Sequence, residues 1–181
     1  MRSDIPQIYD LFVTERVAPM SPKQMRCLVV GVDYAINKNQ DWHSRLPDVA
    51  KLTVMQKHHV CYGAEYHDNC YAVAIWSDPV AREYAKLGYM LELRRLAIAP
   101  DAPKFTATWM LSKMIKDIKK RFPDITKLVS YQDTEVHTGT IYAAGNWKLD
   151  GQRKGSEWAC KSRDRPKAQS AATKIRWIYE I

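Results

Sequence analysis

The sequence predicts a single mixed α/β domain, with a mostly antiparallel central sheet of about six or seven strands flanked by helices. Three observations carry this: β-rich runs alternate with helical ones, a tight hairpin stands early in the chain, and one long amphipathic helix follows it. At 181 residues, 46% of them hydrophobic, the chain has the length of one domain and enough apolar side chains for a core. Residues 1–24, which hold Pro6, Pro19 and Pro22, read as an N-terminal arm, and 25–181 as the domain.

Each element has its own signal. Met25–Val32 is an apolar, β-branched run that reads as a strand. Asp33 is placed to cap a helix running to Trp42, and Pro47 biases Leu46 out of helix. His59–Tyr66 and Cys70–Ser77 flank the turn-forming His67-Asp68-Asn69, which predicts an antiparallel hairpin. Leu91–Ile98 is the next strand, stopped by Pro100 and Pro103. In Phe105–Phe122 the residues Leu111, Ile115, Ile118 and Phe122 form one stripe at helical period. Lys113, Lys116 and Lys120 lie opposite, a solvated face by default. Lys127–Tyr131 is a strand, Thr138–Ala144 a short helix ending at Gly145, 146–160 a hairpin region and Lys174–Glu180 the last strand.

Charge and composition narrow the partners. Twenty-eight Lys and Arg against 20 Asp and Glu give a net charge of +8, which favours a polyanion such as nucleic acid. The loop holding Lys161, Arg163, Arg165 and Lys167 is the best phosphate-binding segment, since Pro166 stiffens it. No run of 18 apolar residues occurs and the N-terminus lacks a basic-then-apolar layout, which predicts a cytoplasmic protein without a membrane span. The four cysteines form no Cys-x-x-Cys pair and read as reduced small hydrophobes. His58, His59, Cys61 and His67 gather at the hairpin but match no metal-ligand spacing. No metal site is assigned, and iron is the metal to test should His43 and His137 converge.

Four segments, in order, resemble the bacteriophage Mom family of DNA adenine-modification proteins. They are Trp42-His43-Ser44-Arg45-Leu46-Pro47, Tyr71-Ala-Val-Ala-Ile-Trp-Ser-Asp-Pro-Val80, Leu91-Glu-Leu-Arg-Arg-Leu-Ala-Ile-Ala-Pro100 and, most specific of all, Ser130-Tyr-Gln-Asp-Thr-Glu-Val-His-Thr-Gly-Thr-Ile-Tyr-Ala-Ala-Gly-Asn-Trp147. The order of elements is also that of the GNAT acyltransferase fold. The resemblance implies a GNAT-like domain that adds a carbamoylmethyl group to the exocyclic amine of adenine in phage DNA. Such bulk on a major-groove donor shields DNA from restriction enzymes that read it. It implies double-stranded DNA with a flipped adenine as partner, in the cytoplasm of an infected bacterium, with homodimer formation left open.

Acyl-CoA members of the fold hold pyrophosphate on a glycine-rich loop before the long helix. Here that loop is Ala99-Pro-Asp-Ala-Pro-Lys-Phe-Thr-Ala-Thr108: it has no glycine, two prolines remove donors, and Asp101 repels phosphate. Lys104, Thr106 and Thr108 remain to contact one phosphate. Acetyl-CoA and glycyl-tRNA therefore both stand as donors. A transferred glycyl group whose amine attacks the ring carbon bearing the modified amine would rearrange to the carbamoylmethyl product.

The candidate site residues follow, each beside its plainer role. His43, with Ser44 and Arg45 as substrate-binding neighbours, stands at a helix end as general base or as a C-terminal cap. Asp133 follows a strand and His137 opens a helix, so both are candidate catalytic residues at the carboxyl edge of the sheet, where Asp133 accepts from the adenine amine or caps a helix. Tyr142 is a general acid or a packing aromatic. Arg94 and Arg95 are adjacent on a strand and point to opposite faces; the sequence leaves open which meets the cleft and which pairs with an acid such as Glu92. Ser130, Tyr131 and Trp147 count as substrate-binding, and Trp42, Trp76, Tyr131 and Trp147 as walls for an extruded base. Two other functions stay open: an acetyl-CoA-dependent N-acetyltransferase acting on a protein or small molecule, and a non-catalytic DNA-binding anti-restriction protein.

Overall fold

The computed structural model describes residues 17–43, 57–153 and 172–181. Seven strands form one sheet: β1 (Arg26–Val30), β2 (His59–Tyr66), β3 (Asn69–Ser77), β4 (Met90–Ile98), β5 (Lys127–Asp133), β6 (Lys148–Arg153) and β7 (Lys174–Glu180). Their order across the sheet is β1-β2-β3-β4-β5-β7-β6. Among the described residues only β4 and β5 pair in parallel, and the crossover between them is the long helix α3 (Thr106–Arg121). Helix α1 (Val32–Trp42) joins β1 to β2, α2 (Arg82–Ala85) precedes β4, and α4 (Thr140–Ala144) follows β5.

The hairpin forms for a local reason. His67 and Asp68 both have positive φ, 46° and 60°, the backbone of a two-residue turn that matches strand twist. Downstream, small residues alternate with large ones on β3. Ala72, Ala74 and Trp76 belong to the core under α3, where Met110, Leu111, Met114 and Ile118 bury the helix. Val73 and Ile75 join Ala35, Cys61 and Ala97 in a second core beneath α1. The Trp76 indole N–H donates to the Met114 sulfur at 3.2 Å.

The structure moves several boundaries. Helix α3 begins at Thr106, because Phe105 adopts φ 68° and cannot continue a right-handed helix. Its buried stripe runs through Met110 and Met114, so Ile115 and Phe122 fall at the margin of the core. Gly31, not Asp33, is the N-cap of α1, and Asp33 lies in the first turn, where its charge complements the helix dipole. Helix α4 starts at Thr140 rather than Thr138, since Gly139 has φ 77°. Residues 148–153 pair with β7, and the rest of the predicted hairpin region, 154–160, lies outside the described residues.

At the end of the sheet where β4 starts, His58 places Nδ1 2.8 Å from Asp78 and Nε2 3.0 Å from Asp124, tying the α3–β5 loop to β2 and β3. No helix among the described residues is long and apolar enough to cross a membrane. Burial pushes the Cys27 thiol up to about 12 and the Cys61 thiol up to about 11, so neither is a thiolate nucleophile.

Met114 fills the space between α3 and Trp76 and accepts the indole N–H. Met114→Ala is expected to cost about 2–5 kcal/mol of unfolding free energy in urea denaturation. A loss below about 1 kcal/mol, the worth of one ordinary hydrogen bond, would show that α3 is not packed here as described.

Candidate active site

The site is made by two strands that part. β4 and β5 pair only from Met90–Leu93 to Lys127–Ser130, although β4 continues to Ile98 and β5 to Asp133. On the other side of β4, Ile75 pairs with Arg95 and Trp76 with Leu93, so Arg94 is an extra residue in the ladder. Such a bulge bends and twists its strand. Between the diverging strands lies a cavity of about 300 Å³.

The cavity spans the plane of the sheet. Neighbouring strand residues point to opposite faces, yet both Ser130 and Tyr131 line it. Ser130 is on the side of α3 and α4, with its hydroxyl 2.8 Å from the Tyr142 phenol. His43, at the end of α1, and Arg95 line the other part. The cavity therefore brings together His43, Arg94, Arg95, Ser130, Tyr131, Asp133, His137 and Tyr142 from the residues predicted. Ser44, Arg45, Lys161, Arg163, Arg165 and Lys167 lie outside the described residues.

His43 is the C-cap of α1, its backbone N–H donating to Asn39 at 2.8 Å. A helix C-terminus favours a charged imidazole, but the surroundings oppose it. Burial, then Arg95, then His137 lower the His43 pKa below 6.5, so at neutral pH the ring is an uncharged base. Both arginines line the cavity, so the expected split between one facing the cleft and one pairing with an acid does not hold. Arg94 Nε contacts the buried Glu92 carboxylate at 3.1 Å, and Glu92 also accepts from Val80 N–H at 3.0 Å. Arg95 donates to the Arg94 carbonyl at 2.6 Å and is the arginine whose charge acts on His43.

Tyr142 is held as a proton donor. Burial raises its pKa above 10, and the Ser130 hydrogen bond only partly opposes this. Its ring stacks on Trp177 at 5.5 Å and 20° and meets Trp147 edge-on. Both predicted roles for this residue, acid and packing aromatic, are thus compatible with one position.

Asp133 caps its own turn and pairs with a lysine. Oδ1 accepts from Glu135 N–H at 3.1 Å and Oδ2 from Lys174 Nζ at 2.8 Å. With Lys174 on one oxygen and a backbone N–H on the other, the carboxylate is fixed in orientation at the cavity wall. His137 does not open a helix: it sits in the exposed β5–α4 loop, with its N–H on the Asp133 carbonyl at 2.9 Å.

Some expected residues stand elsewhere. Trp147 is 4% exposed and packed among Trp76, Tyr142 and Tyr179, so it supports the cavity from behind and cannot touch a ligand in it. Trp76 is fully buried too, and Trp42 packs on the α1 core with Lys38 over its ring. Of the four aromatic walls, Tyr131 alone lines the cavity. Thr106 is buried, its hydroxyl donating to the Pro103 carbonyl at 2.7 Å, and neither Lys104 nor Thr108 reaches the cavity wall. Ala107 does, at the start of α3, whose N-cap Phe105 offers no side-chain cap. Two uncapped backbone donors, at Ala107 and Thr108, suit one phosphate; they do not make the pyrophosphate cradle that CoA needs.

Lys174 and Gln132 were missed. Lys174 lies on the cavity wall only because β7 registers Lys174 against Asp133, 41 residues earlier. Gln132 lies inside the most specific segment, between two residues that were singled out. Among the described residues no three His, Cys, Asp or Glu side chains form a metal-holding group, and the His58 ring is engaged by two carboxylates.

Solved structures share this architecture. An acetyltransferase from Bacillus subtilis, in complex with CoA, superposes with a TM-score of 0.61 at 11% identity, covering 87% of this chain and 99% of that one. A probable acetyltransferase from Staphylococcus epidermidis gives 0.62 at 10%, covering 86% and 98%. A GNAT family acetyltransferase from Elizabethkingia anophelis, with acetyl-CoA bound, gives 0.52 at 14%, covering 87% and 99%. The fold is that of the GNAT acetyltransferases; at these identities the likeness extends to nothing beyond the fold. The model of the Mom protein family matches residues 53–177. No curated protein sequence matches the chain.

The pH dependence follows from His43. Its lowered pKa means that base function is present above that pKa and lost as pH falls through it, below 6.5. Folding is linked in the same direction: below pH 6.5 the unfolded imidazole takes up a proton that the folded one resists, so stability falls with pH. Imidazole NMR is expected to show His43 titrating below 6.5 in the native protein and closer to 6.5 in Arg95→Met. A native His43 titrating at or above 6.5 would contradict the assignment.

Proposed function

The chain belongs to the Mom protein family, and on that premise we propose that it is a transferase placing a small acyl-type group on the exocyclic amine of adenine in DNA. One observation carries the reading: a neutral imidazole and a protonated phenol flank a single cavity that crosses the sheet. Acyl transfer to an amine needs both. The amine must lose a proton as its nitrogen bonds to the acyl carbon, and the leaving heteroatom must gain one.

The acceptor enters from the α1 side. A cavity of about 300 Å³ is small even for a small-molecule site: it suits one planar base with a small group, not a duplex. The adenine must therefore leave the helix, with Tyr131 as the aromatic wall beside it. Its amine is a poor nucleophile, because the lone pair is delocalised into the ring, so orientation and a nearby base both count. His43 takes the amine proton, burial and then Arg95 keep that imidazole neutral before reaction, and Asp133, fixed by Lys174, accepts a hydrogen bond from the amine.

The donor approaches from the α3–α4 side. Tyr142 gives its proton to the leaving oxygen or sulfur as the carbonyl carbon parts from it, and Ser130 holds the phenol in line. The first turn of α3, which meets the cavity at Ala107, faces a donor phosphate. With a glycyl donor, rearrangement after transfer would give the carbamoylmethyl adduct. The chain's +8 charge supports DNA as partner and is compatible with tRNA as donor.

A second reading, acetyl transfer from CoA to a protein or small molecule, draws on the fold and on the open start of α3. The experiment that separates them uses bacterial expression followed by nucleoside mass spectrometry. A heavier deoxyadenosine is expected from the native protein. It should fall at least about 100-fold in His43→Ala and Tyr142→Phe, the scale of one general acid or base. Unmodified DNA alongside tight acetyl-CoA binding would establish the second reading instead. Purified protein given DNA with either acetyl-CoA or glycyl-tRNA then identifies the donor.

A further inference from the structure

The β5–α4 loop carries His137 to the cavity, and one buried amide holds it there. Gln132 of β5 is 4% exposed. Its Oε1 accepts from the Trp177 indole N–H at 2.8 Å, and its Nε2 donates to the His137 carbonyl at 2.6 Å. The loop lies flat against this amide. At Gly139, φ 77°, an added Cβ would overlap Gln132 Oε1 and come within 2.9 Å of Trp177. Trp177 in turn stacks on Tyr142 at 5.5 Å.

We propose that Gln132 is a positioning residue, whose amide locks the His137 loop onto the Trp177–Tyr142 stack and so fixes the acceptor side of the cavity relative to the donor side. The inference rests on the reading of His43 and Tyr142 as the reacting pair, with His137 on the wall of the same cavity. An amide is needed because one planar group must present an acceptor to the indole and a donor to the carbonyl. Glutamate has the same shape but, when ionised, turns an acceptor against the His137 carbonyl. Protonated, it can donate there again. Methionine fills the volume and offers neither.

The test compares Gln132→Glu, Gln132→Met and Trp177→Phe with the native protein at matched pH. The first readout, hydrogen–deuterium exchange of residues 134–139, does not depend on activity. At pH 8, Gln132→Glu is expected to exchange at least tenfold faster than native and to approach native behaviour at pH 5. Gln132→Met should stay fast at both pH values. Trp177→Phe, which keeps the ring stack and removes only the N–H, covers the case in which the first two fold poorly, and should loosen the loop in the same sense. The second readout is DNA modification: kcat at least tenfold lower in Gln132→Met, with KM for DNA within threefold of native. Native-like loop exchange in all three variants overturns the proposal, and so does a loosened loop with unchanged kcat. If the native protein leaves DNA unmodified, the proposed function fails, while loop exchange still decides whether Gln132 is the clamp.

Discussion

The separation of β4 from β5 beyond Leu93 and Ser130 is the constraint on which the site depends. Two strands that part inside a sheet leave backbone donors and acceptors facing a gap, and a buried polar group without a partner costs about 1–3 kcal/mol. The gap survives because each strand keeps its outer neighbour. β4 stays paired with β3 as far as Ile98 and Ala72, and β5 with β7 as far as Asp133 and Lys174. Arg94, the unmatched residue of the β3–β4 ladder, turns β4 away just where the parting begins. The gap thus becomes a place where groups on the two faces of the sheet can act on the same atom.

Charge around that hole is arranged to leave one base unprotonated. A free carboxylate beside His43 would raise its pKa and make it a cation at neutral pH. The carboxylates on the cavity wall and behind it are instead matched: Glu92 by Arg94, Asp133 by Lys174. Burial and the charges of Arg95 and His137 then dominate at His43 and press its pKa down. Across the sheet the same desolvation acts on Tyr142 with the opposite chemical result, because burial keeps a phenol protonated. One physical effect, loss of solvent, prepares a base on one face and an acid on the other.

Much of this was legible in the sequence, and what was not has a common cause. Local patterns gave the hairpin, from His67 and Asp68, and the long helix, from its apolar stripe. The segment from Ser130 to Trp147 pointed to Tyr142, Asp133 and His137, all of which line the cavity. Trp147 was misplaced because aromaticity says nothing about depth: its indole is sealed behind Trp76 and Tyr179. The places of Lys174 and of both Arg94 and Arg95 on the cavity wall depend on strand register and on a bulge, neither of which leaves a trace in local composition. Thr106 looked like a phosphate ligand by analogy of position, yet its hydroxyl satisfies the Pro103 carbonyl at the start of α3.

The account stands on the cavity through the sheet being the passage in which transfer occurs. Ala107, small and on the cavity wall at the first turn of α3, is the place to close it without touching His43, Tyr142 or any charged pair. The most direct measurement is the yield of modified deoxyadenosine from Ala107→Phe, with thermal unfolding as the check on folding. A protein that unfolds within a few degrees of native but gives no detectable product is expected. A well-folded Ala107→Phe protein that modifies DNA at the native level would contradict the account.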